Sequence, residues 1–335
     1  MTDLPWVEKY RPSKLDDIIS HQEIINTLNN FIANNKIPHM IFYGPPGTGK
    51  TTTILACAQK IYGKNYNTMI LELNGSDDRG INVVREQIKN FSATNSKIGN
   101  YLINNDLTTT TNIKLVILDE ADAMTYDAQF ALRRVIELYT DSTRFCLICN
   151  YLTKIIPAIQ SRCQMFRFAP ISNKEHLNRI KHIIELEHIQ IEEDATNKII
   201  ELSEGDMRKS INLLQSQHMI YNSKIITLES LYKSIGYPTD TERNRLINDV
   251  KNCNICAIYN ILYKMQNENN LSNQDIIREM TSFYGKISEK LTKSQQLKLI
   301  NLFDELSIIE INISTNTNNN IHLMAICSII YNYNN

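Results

Sequence analysis

The most constraining feature of this sequence is the segment at residues 44–51, which reads GPPGTGKT. It matches the pattern G-x-x-x-x-G-K-[ST], in which the backbone N–H groups of a glycine-rich loop surround phosphate groups. The apolar run at 40–43 is typical of a buried strand, and residues 52–58 are typical of the start of a helix. Aligned peptide dipoles at a helix N-terminus favour negative charge there. The segment therefore predicts a nucleotide phosphate site in an α/β domain rather than a chance glycine-rich turn.

The residues of this loop have distinct expected roles. We expect Lys50 to reach the β- and γ-phosphates of a nucleotide, and the Thr51 hydroxyl to bind Mg²⁺. The remaining phosphate contacts are expected from the rest of the loop, namely Gly44, Pro45, Pro46, Gly47, Thr48 and Gly49. The loop thus predicts ATP and Mg²⁺ as cofactors.

Length and charge narrow the class of protein further. A chain of 335 residues predicts two or three domains. With 35 basic and 36 acidic residues it has no general positive field, so a nucleic-acid partner would have to meet a local basic patch. The first residues lack the features of a signal or transit peptide, and the apolar run at 323–331 is too short to cross a bilayer. We expect a soluble intracellular protein without a membrane partner.

A second motif follows about seventy residues after the loop. Residues 115–118 form an apolar run that ends directly in Asp119 and Glu120. A parallel strand would deliver Asp119 to the sheet edge near the loop, where a carboxylate can hold Mg²⁺. Glu120 is then placed to activate a water molecule for attack on the γ-phosphate. A strand that merely ends in acidic residues is the alternative, but the pairing with the loop favours ATP hydrolysis.

Two single residues extend this constellation. Asn150 follows the apolar run at 144–149, where its amide can orient water or contact the γ-phosphate, although an asparagine at a strand end is usually a turn residue. Arg162 lies far from the loop in sequence and is a candidate arginine finger for the nucleotide of a neighbouring subunit. Taken alone it would be an ordinary surface arginine.

The order of elements predicts an α/β fold followed by helices. Strand-like runs at 40–43, 68–73, 114–118, 144–149 and 165–168 alternate with helical segments, which predicts a doubly wound parallel sheet with ligands at the carboxyl ends of its strands. Three amphipathic helices are predicted at 172–187, 193–203 and 206–221. A boundary falls at 236–238, and the remainder is predicted to be helical to about 332. The Asn- and Thr-rich stretch at 92–112 is predicted to be a flexible surface insertion.

The seven cysteines include two C-x-x-C pairs, which raise the question of a zinc site. Cys146 and Cys149 lie in a strand-like run, where side chains three residues apart face opposite ways. The second pair is Cys253 and Cys256, and no histidine near either pair has ligand spacing. We therefore expect buried, reduced thiols and no zinc.

Together, six motifs resemble the small subunits of replication factor C, the eukaryotic sliding-clamp loader, which is a pentamer of AAA+ ATPases. They are PWVEKYRP at 5–12, ELNGSDDRGI at 72–81, DEAD at 119–122, ALRR at 131–134, SRC at 161–163 and GDMR at 205–208. The match covers residues 4–236 with specific motifs, and the last third matches only in length and helicity. Gly75 departs from the alanine common in the family, a change expected to matter little.

The resemblance implies an architecture and further site residues. It implies an AAA+ domain at 1–169, a three-helix lid at 170–235 and an all-helical collar for oligomerisation at 236–335. Val7 and Arg11 would lie near the adenine and the phosphates, and Thr52 would extend the phosphate loop. Asn150 matches the family's first sensor residue. Arg208 matches the second sensor, which closes the lid on the γ-phosphate, while Arg162 would act on the neighbour's ATP.

The resemblance also implies partners. They are the other replication factor C subunits in a hetero-pentamer, the sliding clamp PCNA and primer–template DNA bound through its backbone without sequence preference. The family's DNA-facing helices match segments that contain Arg79, Arg85 and Lys154, although each of these could equally be a solvated surface charge. Nuclear localisation is implied by the family alone.

These observations favour an ATPase subunit of the clamp loader, active only in the oligomer. A nucleotide-binding scaffold that does not hydrolyse ATP is one alternative, which the intact Glu120 disfavours. Another AAA+ DNA motor, such as a branch-migration helicase, is a second alternative. The DEAD tetrad alone would suggest an RNA helicase, but the sequence has no second recA-like half.

Overall fold

The structure is a computed structural model that describes residues 4–18, 20–75, 80–93, 113–221, 224–236, 254–269, 271–288, 292–315 and 319–334. The chain divides into two compact units, Met1–Ile225 and Ile226–Asn335. The boundaries that the sequence suggests, at 169/170 and 235/236, stay predictions.

The first unit is built on a sheet that has five parallel strands in the described part of the chain. The strands are β1 (Met40–Tyr43), β2 (Ile70–Asn74), β3 (Lys114–Asp119), β4 (Thr143–Cys149) and β5 (Gln164–Arg167). Their order across the sheet is β2-β3-β4-β1-β5. Because parallel neighbours require crossovers, helices connect the strands and cover both faces.

Seven helices of this unit precede the lid in the described residues. They are α1 (Trp6–Lys9), α2 (Gln22–Ala33), α3 (Lys50–Tyr62), α4 (Tyr66–Met69), α5 (Gly80–Ala93), α6 (Tyr126–Leu138) and α7 (Pro157–Gln160). Short 3₁₀ turns at Leu15–Asp17, Gly63–Asn65, Ala121–Ala123 and Leu152–Lys154 complete the connections.

The sheet separates two apolar cores, because alternate side chains of a strand point to opposite faces. Phe42 of β1 and Cys146 of β4 pack in one core, and Ile41 and Cys149 pack in the other. The two cysteines of this C-x-x-C pair thus lie buried on opposite faces, as predicted. Burial raises the pKa of the Cys149 thiol to about 12, which keeps it protonated. The other C-x-x-C pair contains Cys253, which lies outside the described residues.

Three helices of the first unit form the lid, α8 (Asn173–Leu186), α9 (Glu193–Ser203) and α10 (Met207–Tyr221). The first begins with a capping arrangement, in which the Ser172 hydroxyl accepts from the Glu175 N–H and donates to its carboxylate. All three helices agree with the sequence prediction to within about a residue at each end.

The second unit is helical throughout its described residues. Its helices are α11 (Leu228–Ile235), α12 (Ile255–Asn269), α13 (Asn273–Ile287), α14 (Lys293–Thr315) and α15 (Asn319–Asn334). Its core is a single apolar cluster that includes Leu262, Ile277, Leu306 and Ile326. The predicted class is confirmed: a doubly wound parallel α/β sheet, a three-helix lid and an all-helical C-terminal part. No helix among the described residues is long and apolar enough to cross a bilayer.

The start of the second strand differs from the prediction. Residues 68–69 belong to the short helix α4, and pairing with β3 begins only at Ile70, opposite Leu115. The Thr68 hydroxyl donates to the Asn65 carbonyl at 3.0 Å, a local bond that competes with the extended conformation. The predicted insertion at 92–112 lies outside the described residues except for 92–93, which belong to α5.

Candidate functional site

The candidate site lies at the carboxyl edge of the sheet. Tyr43 pairs with Cys149, so Gly44 and Asn150, the residues that follow them, leave neighbouring strands at the same level. One strand further across, Asp119 ends β3 opposite Asn74. Parallel pairing therefore brings together residues that lie about 30 to 106 positions apart in the sequence. This is the edge at which ligands bind in open α/β sheets.

The phosphate loop connects this edge to the N-terminus of α3. Gly49 adopts a left-handed conformation (φ +91°) immediately before the first helical residue, Lys50. Gly47 is also left-handed (φ +68°), and a Cβ on it would lie 1.7 Å from Oδ1 of Asp206 in the lid. A residue other than glycine at position 47 would therefore both strain the backbone and collide with the lid. The loop leaves the N–H groups at the start of α3 available to an anion.

Lys50 is buried in the centre of the site. Its ammonium group donates to the carbonyls of Gly44 (2.6 Å) and Pro45 (2.7 Å) and to Oδ1 of Asn150 (2.9 Å). Burial lowers the pKa of this ammonium, while the nearby Asp119 carboxylate opposes that shift. The cation is thus held at the loop, beside the proposed γ-phosphate sensor.

The residues expected to bind magnesium lie next to each other. The Thr51 hydroxyl donates to Oδ2 of Asp119 at 2.8 Å. A hydroxyl oxygen and a carboxylate oxygen are the hard donors that Mg²⁺ prefers, and the metal keeps most other positions for water and phosphate oxygens. The donor set therefore fits a magnesium–nucleotide complex. Thr51 and Asp119 would hold the ion, which would neutralise charge that develops on the phosphates.

Glu120 leaves the end of β3 with an exposed side chain. Its backbone is left-handed (φ +52°), and its N–H donates to Oδ1 of Asp119 at 2.9 Å. This turn directs the residue away from the strand, immediately beside the magnesium-binding carboxylate. A general base for an attacking water must be accessible to solvent, and the exposed side chain of Glu120 meets this requirement.

Asp122 positions the sensor asparagine, a role that the sequence analysis did not assign. Its Oδ2 accepts from the backbone N–H groups of Asn150 (3.2 Å) and Tyr151 (3.1 Å). The carboxylate thereby fixes the end of β4, from which the Asn150 amide reaches Lys50. Asp122 is the last residue of the DEAD motif at 119–122, and this motif is the sequence feature that could have indicated the contact.

Gly75 is more constrained than the sequence suggested. A Cβ at this position would lie 2.7 Å from the carbonyl oxygen of Glu120, and the Gly75 N–H donates to the Asp119 carbonyl at 2.7 Å. Alanine at this position would push the backbone that carries both acidic residues. The expectation that the Gly75 departure matters little is therefore wrong for this backbone geometry.

An open cavity of about 820 Å³ extends from the phosphate loop towards the lid. Its walls include Val7 and Arg11 from the N-terminal segment, Thr52 from α3 and Arg208 from the lid. Arg11 donates from Nε to the Thr52 hydroxyl at 3.3 Å. The structure thus places these four predicted nucleotide contacts around one cavity.

The lid meets the phosphate loop directly. The Met207 N–H donates to the Gly47 carbonyl at 3.3 Å. Asp206 caps α10 by accepting from the N–H groups of Arg208 (2.8 Å) and Lys209 (3.2 Å). Arg208 is exposed at the cavity wall. A movement of the lid would therefore change the distance between its guanidinium and phosphates bound at the loop. Arg179 of α8 also lines the cavity, and sequence reasoning missed it.

Arg162 lies at the opposite edge of the sheet. It precedes β5, whose first residue Gln164 pairs with Met40, so it stands at the amino-terminal level of β1. The phosphate loop follows the other end of that strand, about 20 Å away at roughly 3.3 Å per residue. Arg162 forms an ion pair with Glu137 of α6 at 2.6 Å. The structure therefore does not bring this arginine to the chain's own nucleotide site.

The predicted DNA-binding residues are only partly described. Arg79 lies outside the described residues, and Arg85 lies on α5 with a side chain that is also outside them. Lys154 is exposed on the 3₁₀ turn after β4, with its ammonium 5.2 Å from the centre of the Tyr151 ring. Their contact with DNA stays a prediction.

The fold and site define the class of protein. A parallel sheet with a phosphate loop, a strand-end acidic pair and a helical lid over the nucleotide cavity is the arrangement of an AAA+ ATPase. Three family models agree: "ATPase family associated with various cellular activities (AAA)" matches residues 40–171, "RCF1/5-like, AAA+ ATPase lid domain" matches 178–219, and "Replication factor C C-terminal domain" matches 238–328.

Relatives identify the family within this class. The chain is 45% identical to replication factor C subunit 3 of Schizosaccharomyces pombe, over 98% of this chain and 90% of that protein. It is 42% identical to replication factor C subunit 5 of Homo sapiens, over 97% and 90% respectively. The chain belongs to the replication factor C subunit family.

Solved structures agree on the fold. Two variants of RuvB from Thermotoga maritima align with TM-scores of 0.53 and 0.51, at 16% and 17% identity. Each alignment covers 76% of this chain and 85% of the other. At this identity the likeness shows the AAA+ fold alone.

Proposed function

We propose that this chain is an ATP-hydrolysing subunit of the replication factor C clamp loader. ATP binding organises the assembly so that it opens the sliding clamp PCNA on primer–template DNA, and hydrolysis releases the closed clamp. The observation that carries the hydrolytic role is the Thr51–Asp119 hydrogen bond of 2.8 Å with the exposed Glu120 beside it. The proposed magnesium ligands and the proposed base for water thus lie side by side at the carboxyl edge of the sheet.

An exposed apolar face in the second unit supports assembly with the other subunits into a hetero-pentamer. Leu297, Ile300, Ile308 and Ile311 are each 55–66% exposed, and their spacing places them on one face of α14. Ile321 of the next helix is 62% exposed as well. Aligned exposed apolar side chains of this extent mark a protein–protein interaction surface. We propose that this face is buried between subunits.

The proposed DNA contacts are non-specific and electrostatic. Arg79, Arg85 and Lys154 would neutralise phosphates, and each lost contact reduces the slope of log affinity against log salt by about 1. Reversing all three charges in the assembled complex should weaken binding and reduce this slope. An unchanged slope, with normal assembly and ATP binding, would remove these residues from the DNA-binding surface. We also propose that the protein is located in the nucleus, as its role in the clamp loader requires.

The substitution Glu120→Gln tests the hydrolytic role. The amide cannot accept the proton of the attacking water, but the site for ATP and Mg²⁺ keeps its other groups. In the reconstituted complex with clamp and primed DNA, we expect normal ATP binding and a fall in this site's hydrolysis of roughly 100-fold. The measurement is single-turnover hydrolysis together with clamp release.

A matched control and the contradicting outcomes complete this design. Glu193→Gln changes an exposed lid glutamate paired with Lys181 at 3.5 Å, and it should leave hydrolysis unchanged. Full DNA-stimulated hydrolysis in the Glu120→Gln complex would favour a nucleotide-binding scaffold. A homohexamer in mass measurements of the purified protein would instead favour a DNA motor of another class.

A further inference from the structure

The N-terminal segment 4–12, called the strap here, forms one wall of the nucleotide cavity. Val7, Arg11 and Pro12 line the cavity from this segment, together with Glu8 and Tyr10. The strap contains the helix α1 and then runs towards α3. The phosphate loop contributes Gly47, Thr48 and Gly49 to the same cavity, so phosphates bound at the loop would leave the strap side of the cavity to the nucleoside.

The start of the strap is attached to lid helix α10. The backbone N–H of Trp6 donates to Oε1 of Gln215 at 3.1 Å. The Trp6 indole lies 5.3 Å from the His218 ring, centre to centre, and is only 7% exposed. A buried indole packed on a lid helix fixes the position of the strap relative to the lid.

The end of the strap is attached to lid helix α8. Arg179 donates from its guanidinium to the Tyr10 carbonyl at 2.6 Å. The Tyr10 hydroxyl and the Lys9 ammonium both donate to the carboxylate of Glu187, the residue that ends this helix. The Lys9 ion pair is exposed and contributes little. The half-buried, charge-assisted bond from Arg179 is the stronger attachment.

Arg179 connects three walls of the cavity. It belongs to the lid, binds the strap carbonyl and is attracted to the Asp17 carboxylate of the 3₁₀ turn Leu15–Asp17. Asp17 and Arg179 both line the cavity. On the side of the strap that faces the sheet, Arg11 donates a hydrogen bond to the Thr52 hydroxyl at 3.3 Å. The strap is thus held to the lid at Trp6 and Tyr10. Its residue Arg11 is held to Thr52, in the first turn of α3.

We propose that the strap moves with the lid as one body, and that Arg179 is the positioning residue that makes it close over the nucleoside part of ATP. This inference rests on the proposed function, since it concerns the same ATP site. According to this proposal, a contact between the lid and the strap contributes to the affinity for ATP, although it lies far from the reacting phosphate. Losing Arg179 should therefore weaken ATP binding without changing the catalytic groups.

The test uses the full-length chain and its single tryptophan. Trp6 lies on the strap, so its emission reports whether the strap stays packed on the lid. Because the strap and the lid move as one body, we expect ATPγS to leave this emission unchanged in the wild-type chain. In Arg179→Ala we expect the Kd for ATPγS to rise about tenfold, because the strap loses its charge-assisted hydrogen bond to the lid. Arg179→Lys should recover part of the loss, since lysine can donate to the Tyr10 carbonyl.

Two further variants keep the result interpretable. Gln215→Ala removes the acceptor for the Trp6 N–H at the other end of the strap, and it should weaken binding in the same direction. Lys181→Ala removes an exposed charge from the same lid helix, and it should bind like the wild type. Melting temperatures within a few degrees of the wild type would show that each variant folds.

The outcomes separate this inference from the proposed function. Wild-type affinity in both Arg179→Ala and Gln215→Ala would overturn the lid–strap inference and leave the ATPase assignment intact. A changed Trp6 emission on ATPγS binding to the wild-type chain, which indicates that the strap leaves the lid, would also overturn it. A wild-type chain that binds no ATP, alone or in the complex, would instead contradict the proposed function.

Discussion

At the scale of single residues, the site depends on carboxylates with different tasks. Asp119 accepts from Thr51, Glu120 is exposed to water, and Asp122 accepts from two backbone N–H groups. The three lie within four positions, but the turn at Glu120 directs each to a different target. An acidic cluster in the sequence thus supplies a proposed metal ligand, a proposed base and a backbone anchor.

The anchor role of Asp122 gives a prediction at this scale. Asp122→Ala should lower ATP hydrolysis about tenfold, because Asn150 loses the contact that fixes it beside Lys50, and 1.4 kcal/mol of lost positioning corresponds to that factor. Stability should change little, since both N–H groups can bind water at this exposed position. The measurement is single-turnover hydrolysis in the reconstituted complex. Asp122→Asn keeps an acceptor oxygen, and an equal loss in both variants would contradict the anchor role.

At the scale of elements, a buried histidine joins the central strands. His39 precedes β1, and its Nδ1 accepts from the Phe145 N–H of β4 at 3.2 Å. Burial, together with repulsion from Arg144, lowers the pKa of His39 to about 4. A protonated ring could not accept this bond. The strand pair is therefore built for the neutral imidazole.

The His39 pKa predicts acid sensitivity of the first unit. The unfolded chain takes up the proton near pH 6.5, whereas the folded chain does so only near pH 4. The stabilisation is therefore complete above about pH 6.5 and is lost as the pH falls towards 4. His39→Asn keeps an acceptor without this titration, so the urea midpoint should fall less between pH 7 and 5.

A histidine control makes this measurement specific. His21 and His176, whose pKa values burial also lowers, should leave a remaining pH slope in His39→Asn. His182→Asn removes an exposed lid histidine and should keep the wild-type slope. The same slope in wild type and His39→Asn would contradict the assignment.

At the scale of the whole molecule, the predicted nucleotide site and the predicted arginine finger lie at opposite ends of the sheet strands. The phosphate loop, Asp119 and Asn150 lie at the carboxyl edge, and Arg162 lies at the amino edge with Glu137. The two ends are separated by about six strand residues at roughly 3.3 Å each, which is about 20 Å. A single side chain is too short to span that distance. The geometry accordingly favours action of Arg162 on a neighbouring subunit's ATP.

A double substitution tests action in trans. In a complex that carries Glu120→Gln in this chain, the remaining hydrolysis comes from other subunits. Adding Arg162→Ala should lower that remaining rate roughly 10³-fold at the neighbouring site if the arginine stabilises its transition state. Lys174→Ala, an exposed lid change, is the control. An unaltered remaining rate would show that Arg162 does not act on the neighbour.

The sequence by itself determined the elements and the chemistry at the strand ends. The phosphate loop, the acidic pair and the lid helices are local patterns, set by glycine conformations, apolar periodicity and helix capping. The sequence named Asn150 and Arg162 as candidates for the sensor and finger roles, and the family resemblance favoured these roles over a turn residue and a surface arginine, because neither residue has a distinctive local pattern.

The tertiary structure decided which of these groups meet. Register between parallel strands placed Asn150 beside Lys50 and set Arg162 at the far edge, and packing of the lid brought Arg179 and Gln215 to the strap. These contacts join residues about 100 to 210 positions apart. No local pattern encodes them, because they depend on the order of strands across the sheet and on which lid faces remain free after the core is packed.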